Sequence, residues 1–133
     1  SPYAAAIPIF ISKAIKNEKI SIYGDGNQTR DFVFVKDVVN ACLFLVMNES
    51  LNGIYNVAYG RKTRINEIVK KIVKSTKSKS EVIHQPERPG EVKDSLASIR
   101  KLLRSGFKPK YNLKYGLEAT IQYFRNFANS QIS

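Results

Sequence analysis

Apolar residues along this chain recur at two alternating spacings. Ile7, Phe10, Ile11, Ala14 and Ile15 fall at helical intervals around Pro8, which a first helical turn tolerates because its missing N–H has no partner to lose there. Lys13, Lys16 and Asn17 face away from that stripe. Ile20 to Tyr23 alternates as a short strand, Gly24-Asp25-Gly26 turns the chain, and Asp31 to Val35 reads as a second strand. Asp37 stands where a helix cap belongs, ahead of a helix from Val38 to Met47. Asn52-Gly53 is a turn into a strand, Ile54 to Ala58. Thr63 is the expected cap of a helix from Arg64 to Thr76, with Ile65, Ile68, Val69, Ile72 and Val73 as its apolar stripe.

Beyond a lysine-rich turn, Glu81 to His84 reads as a strand and Glu87 to Lys93 as a Gly/Pro-marked arm. Asp94 to Ala97 is extended, and Ser98 is the expected cap of a brief helix over Ile99–Arg104. Gly106 sits where a left-handed residue ends such a helix. Asn112 opens the last helix, whose stripe is Leu113, Leu117, Ile121, Phe124 and Phe127. The order of elements predicts an α/β chain: a small mixed α+β domain with short strands and about five helices.

One element departs from the rest. Val38, Val39, Ala41, Cys42, Leu43, Phe44, Leu45, Val46 and Met47 leave that helix almost no polar face. A helix apolar all round needs cover on every side. The Ile54–Ala58 strand is likewise too apolar for a polar edge. Together they point to a covering layer that 133 residues seldom supply.

Composition changes this picture little. The apolar and charged fractions, 43% and 25%, are those of a globular protein. No apolar run reaches the ~18 residues of a membrane span, and nothing near Ser1 resembles a signal peptide, so a cytoplasmic protein without a membrane partner is expected. The single cysteine, Cys42, lies in an apolar run and reads as a buried thiol. The net charge of +11 is more telling, since basic chains attract phosphates. Much of the excess lies between Arg61 and Lys79, a run that suits either a solvated helix face or a nucleic-acid contact. No aromatic, zinc or helix-turn-helix pattern accompanies it. His84, the only histidine, has no second histidine or nucleophile beside it in sequence. No metal site is expected.

Candidate chemistry lies in two loop arginines, Arg30 and Arg88, each flanked by a glycine and an acid. A guanidinium fork binds phosphate oxygens two at a time, so two such forks suit a diphosphate. Tyr23 offers a ring face to a base, and Glu91 an acceptor for a ribose diol. Those are the requirements of a nucleotide-diphosphate ligand.

The run Tyr23-Gly24-Asp25-Gly26, Gln28-Thr29-Arg30-Asp31-Phe32-Val33 and Asp37-Val38-Val39 resembles the C-terminal, substrate-binding part of the extended short-chain dehydrogenase/reductase family, the UDP-sugar 4-epimerases best of all. Three further blocks follow in the family's order: Tyr55-Asn56-Val57 with Ile65-Asn66-Glu67-Ile68, then Arg88-Pro89-Gly90-Glu91-Val92, then Gly106-Phe107 with Pro109. The resemblance implies that Arg30 and Arg88 bind the UDP diphosphate and that Tyr23 packs on uracil. It places Glu91 at the ribose, where the family generally has aspartate. It places Ser95 beside the sugar pocket, where a tyrosine would exclude a 2-acetamido group and serine leaves room. The sugar is then UDP-glucose/galactose or the N-acetylated pair.

The resemblance also implies what lies elsewhere. The family binds NAD on an N-terminal Rossmann domain and catalyses with a Tyr-x-x-x-Lys pair. No tyrosine here has lysine four positions on. Gly24-x-Gly26-x-x-Thr29 imitates a dinucleotide fingerprint but leads into a strand instead of a helix. Residues 1–133 therefore read as a nucleotide-sugar-binding domain without catalytic residues, expected to be inactive alone and to bind no NAD alone. The parent enzyme would be an isomerase. Residues 31–59 are expected to pack on the cofactor domain, and the isolated chain to self-associate through the exposed apolar surface. The same scaffold also serves nucleotide-sugar dehydratases and decarboxylases, and a basic nucleic-acid-binding module is the reading from another class.

Overall fold

The computed structural model describes residues 6–90 and 98–132. Its helices are α1 (Ala6–Ile15), α2 (Val35–Met47), α3 (Ile65–Thr76), α4 (Arg100–Arg104) and α5 (Leu113–Ile132). The strands are β1 (Ile20–Tyr23), β2 (Thr29–Asp31), β3 (Lys62–Arg64) and β4 (Val82–Gln85). Five helices with short strands are the mixed α/β architecture that the sequence predicts. No described helix is long and apolar enough to cross a membrane. The chain divides into two compact units, one formed by residues 1–28, 64–93 and 117–133 and the other by 29–63 and 94–116.

The first unit is built on α3. Ile65, Ile68, Val69 and Ile72 form one stripe at helical spacing, and all are buried. They share the core with Phe10, Ile11 and Ala14 of α1 and Ile20 and Ile22 of β1. From α5, Leu117 and Ile121 are buried as well. β1 pairs in parallel with β4, Ile20 opposite Val82 through Tyr23 opposite Gln85. The helix ends at Lys77 in left-handed conformation (φ 52°), whose N–H donates to the carbonyls of Lys74 and Val73.

Its start corrects the sequence expectation. Thr63 does not cap α3; it is a buried residue of β3, and Arg64 precedes the helix without a side-chain hydrogen bond. The first N–H groups of a helix have no partner inside it. Here the carbonyls of the glycine turn and its arm serve instead: Ile65 N donates to Gln28 O (3.1 Å) and Asn66 N to Gly26 O (2.9 Å).

In the second unit β2 pairs with β3, and β2 is shorter than the expected Asp31–Val35 strand. Asp37 is not the cap of α2, which starts at Val35. It is fully buried, and its two carboxylate oxygens accept from the backbone N–H groups of Lys110 (2.8 Å) and Tyr111 (2.9 Å). A buried carboxylate requires such donors. The residue ties α2 to the connector that precedes α5. Nor does Ser98 cap α4, since Ile99 occupies that position without a side-chain bond. Asn112 does cap α5, accepting from Tyr115 N at 2.8 Å, and Gly106 has the left-handed φ of 102°.

Ile54–Ala58 is not a strand. A strand needs a neighbour to take its backbone groups, and side chains hold this segment instead. Lys101 Nζ donates to Ile54 O (2.9 Å) and lies 4.4 Å from the Tyr55 ring centroid. The Asp31 carboxylate accepts from Tyr59 N and Gly60 N, each at 2.8 Å. Exposure in this unit is concentrated on α2: Val35, Val39, Leu43, Val46 (76%) and Met47 (80%) face outward, as does Ile54 (87%). Cys42 is exposed on the same helix, contrary to the buried thiol expected, because the core of the unit receives Ala41 instead.

Candidate functional site

Alternation along β1 sends Ile20 and Ile22 into the core, which leaves Ser21 and Tyr23 on the opposite face. The strand register continues into the turn, where Gly24 N donates to Gln85 O at 2.8 Å. Gly24 and Gly26 both have positive φ, 85° and 77°. At Gly26 a Cβ would also collide with the Asn66 amide, so a larger residue requires that amide to shift. Between them Asp25 Oδ1 accepts from Asn27 N (2.8 Å), a local turn bond that fixes the tip.

Two amides brace this turn. Gln28 Nε2 donates to Tyr23 O (2.8 Å), and Asn66 Nδ2 donates to Asp25 O (2.9 Å) from the first turn of α3. With that nitrogen donating, Asn66 Oδ1 accepts from His84 Nε2 at 3.2 Å. The lone histidine thus holds a turn in place.

Ser21 and Tyr23 open onto a cavity of about 280 Å³. Ile9, Phe10 and Lys13 line it from α1, together with Lys19, Gln28, Ile65 and Arg88. Its charged lining residues, Lys13, Lys19 and Arg88, are all cationic. Lys13 shares its charge with Glu18 at 3.4 Å. The Arg88 guanidinium stacks on Tyr23, its Cζ 3.7 Å from the ring centroid. An apolar wall, an aromatic ring and a positive rim only partly compensated by Glu18 suit a ligand with a flat ring and an anionic group.

Of the sequence-predicted residues, Tyr23 and Arg88 come together here. Arg30 belongs to the second unit, where it is buried and its Nη1 donates to Thr29 O (2.6 Å). Glu91 and Ser95 lie outside the described residues. Sequence reasoning missed Ser21, Lys19, Lys13 and Gln28. Ser21 was within reach, because period-two alternation puts it beside Tyr23; Lys13 read as a solvent-facing charge.

The glycine turn does not fit a dinucleotide. It joins two strands, where a pyrophosphate needs the free N–H groups of a helix N-terminus. The nearest helix start, that of α3, has given its Ile65 and Asn66 N–H groups to the arm itself. Among the described residues no group of three His, Cys, Asp or Glu side chains could hold a metal ion.

Residues 2–58 match the model of the NAD dependent epimerase/dehydratase family. A putative UDP-glucose 4-epimerase from Methanocaldococcus jannaschii is 39% identical over 92% of this chain and 40% of its own length. A UDP-N-acetyl-alpha-D-glucosaminuronate decarboxylase from Bacillus cytotoxicus is 33% identical over 96% of this chain and 42% of its own. Among solved structures, the UDP-N-acetylglucosamine 4-epimerase of Methanobrevibacter ruminantium, in complex with UDP-N-acetylmuramic acid, superposes with a TM-score of 0.86. It is 38% identical over 96% of this chain and 41% of its own. The chain thus spans about two fifths of the length of these relatives. On sequence and fold alike, it belongs to the NAD dependent epimerase/dehydratase family.

Proposed function

We propose that this chain is the nucleotide-sugar-binding portion of an NAD-dependent UDP-sugar 4-epimerase. The observation that carries the reading is the cavity beside β1, where an aromatic ring, a guanidinium and two lysines meet with no lining carboxylate. In this reading Tyr23 packs on the uracil and Arg88 ligates diphosphate oxygens. Glu91 takes the ribose hydroxyls, and Ser95 leaves room for a 2-acetamido group, so that the N-acetylated sugars are accepted. NAD and the proton-transferring residues belong to a part of the enzyme outside this chain, which alone turns over nothing. The apolar face of α2, together with Ile54, is the surface on which that part docks.

Titration calorimetry tests this. UDP and UDP-N-acetylglucosamine are expected to bind one per chain, and Arg88→Ala to weaken UDP by about 10- to 100-fold, the loss of one charge-assisted contact. Absence of heat with either nucleotide at high protein concentration contradicts the reading. The decarboxylase relative supports a sister reaction on the same sugars, which an assay of the complete enzyme with a UDP-hexuronic acid distinguishes by release of carbon dioxide. A nucleic-acid-binding role draws support from the exposed run Arg61, Lys62, Arg64, Lys70, Lys71, Lys74, Lys77 and Lys79. Its mark would be an affinity for DNA or RNA that collapses with salt and ignores Arg88.

A further inference from the structure

Arg88 stands in the place that a base needs. Its guanidinium lies flat enough on Tyr23 to bring Cζ within 3.7 Å of the ring centroid, and both side chains line the cavity. An aromatic base stacking on the same ring face needs the same contact distance. Guanidinium and base therefore exclude each other on that face. Arg88 is otherwise exposed, and neither ion pair among the described residues, Lys13–Glu18 or Lys71–Glu67, involves it. Among the described residues, the Tyr23 ring is the contact recorded for this charge. The main chain beneath it is fixed, however, because Gln85 O, three residues before Arg88, accepts the Gly24 N–H that follows Tyr23.

We propose that Arg88 acts as a latch as well as an anion ligand, and so selects nucleoside diphosphates over nucleosides; the inference rests on the nucleotide reading above. In the structure the guanidinium covers the Tyr23 ring. A diphosphate offers it several acceptor oxygens and draws it off, uncovering the ring for the base. A nucleoside carries no such group and must displace the cation without giving it a new partner. The all-cationic lining sharpens the choice, since Lys13 and Lys19 repel a displaced guanidinium and attract an incoming phosphate. Base stacking and phosphate ligation are thus one exchange at a single side chain.

The exchange predicts opposite signs for two ligands in one variant. An exposed cation–π contact corresponds to about a two- to fivefold factor in affinity. Arg88→Ala should therefore bind uridine about two- to fivefold more tightly than the unmodified chain, read by ligand-observed NMR, while binding UDP at least tenfold more weakly. Arg88→Lys, which keeps a charge but loses the planar stack, should fall between the two for both ligands. Circular dichroism of each variant shows whether the fold is retained, as expected for a substitution at an exposed loop residue. If UDP weakens while uridine is unchanged, weaker or undetectable in Arg88→Ala, the latch is wrong and the nucleotide site stands. If UDP does not bind the unmodified chain, both fall.

Discussion

Helices α2 and α3 each follow a residue in extended conformation, Phe34 and Arg64, and each starts without a side-chain cap, but they dispose of their apolar residues in opposite ways. On α3 Ile65, Ile68, Val69 and Ile72 are buried while Lys70, Lys71 and Lys74 face outward. On α2 only Ala41 is a buried apolar residue; Val35, Val39, Leu43, Val46 and Met47 are exposed. An amphipathic helix declares one partner, and α3 has found it. A helix apolar all round declares more than one. The outward residues of α2 have no cover among the described residues, and they form the face proposed above for docking.

The contrast breaks most readily at the buried stripe. Ile72→Ala should lower the stability of the first unit by about 2–5 kcal/mol, the cost of a cavity in a packed core, read as a lower urea midpoint. If it costs less than a surface substitution, the core has been misplaced. At Gly26→Ala the strain of a positive φ and the collision with Asn66 add up to about 1–3 kcal/mol, and UDP affinity should fall with the turn that carries Tyr23. In the second unit, Asp37→Ala removes the acceptor of the Lys110 and Tyr111 N–H groups and should cost about 1–3 kcal/mol. Asp37→Asn should recover only part of that, since its amide supplies one acceptor oxygen for two donors. The smallest effect is expected on α2. Val46→Lys with Met47→Lys should change stability by no more than about 0.5 kcal/mol. The pair should also reduce self-association in sedimentation, where an unchanged mass distribution would argue that this face is not adhesive.

Periodicity made α1, α3 and α5 legible, because their buried stripes lie within the chain. The caps were less so. Thr63 and Asp37 have the right chemistry for capping, but tertiary contacts claimed both, Thr63 for a strand and Asp37 for the 110–111 backbone. Ile54–Ala58 has the composition of a strand without a described neighbour to pair with, and Lys101 and Asp31 hold its ends by side chain. At the site, Tyr23 and Arg88 were legible from the glycine turn and from the resemblance. Their stacking on one another was not, since sequence gives no sign that β1 and β4 are in parallel register. Lys13 and Lys19 were hidden for the ordinary reason that a lysine looks solvated until a cavity opens beside it.

On the function proposed above, the nucleotide binds on the first unit, at the end of β1, and not on the apolar face of α2. Titrating UDP into isotopically labelled chain while following backbone amide shifts tests it directly. Saturable shifts are expected at Ser21, Tyr23, Gly24 and Arg88, with Val39, Leu43 and Val46 unmoved. Shifts confined to α2, or none at saturating UDP, would contradict it.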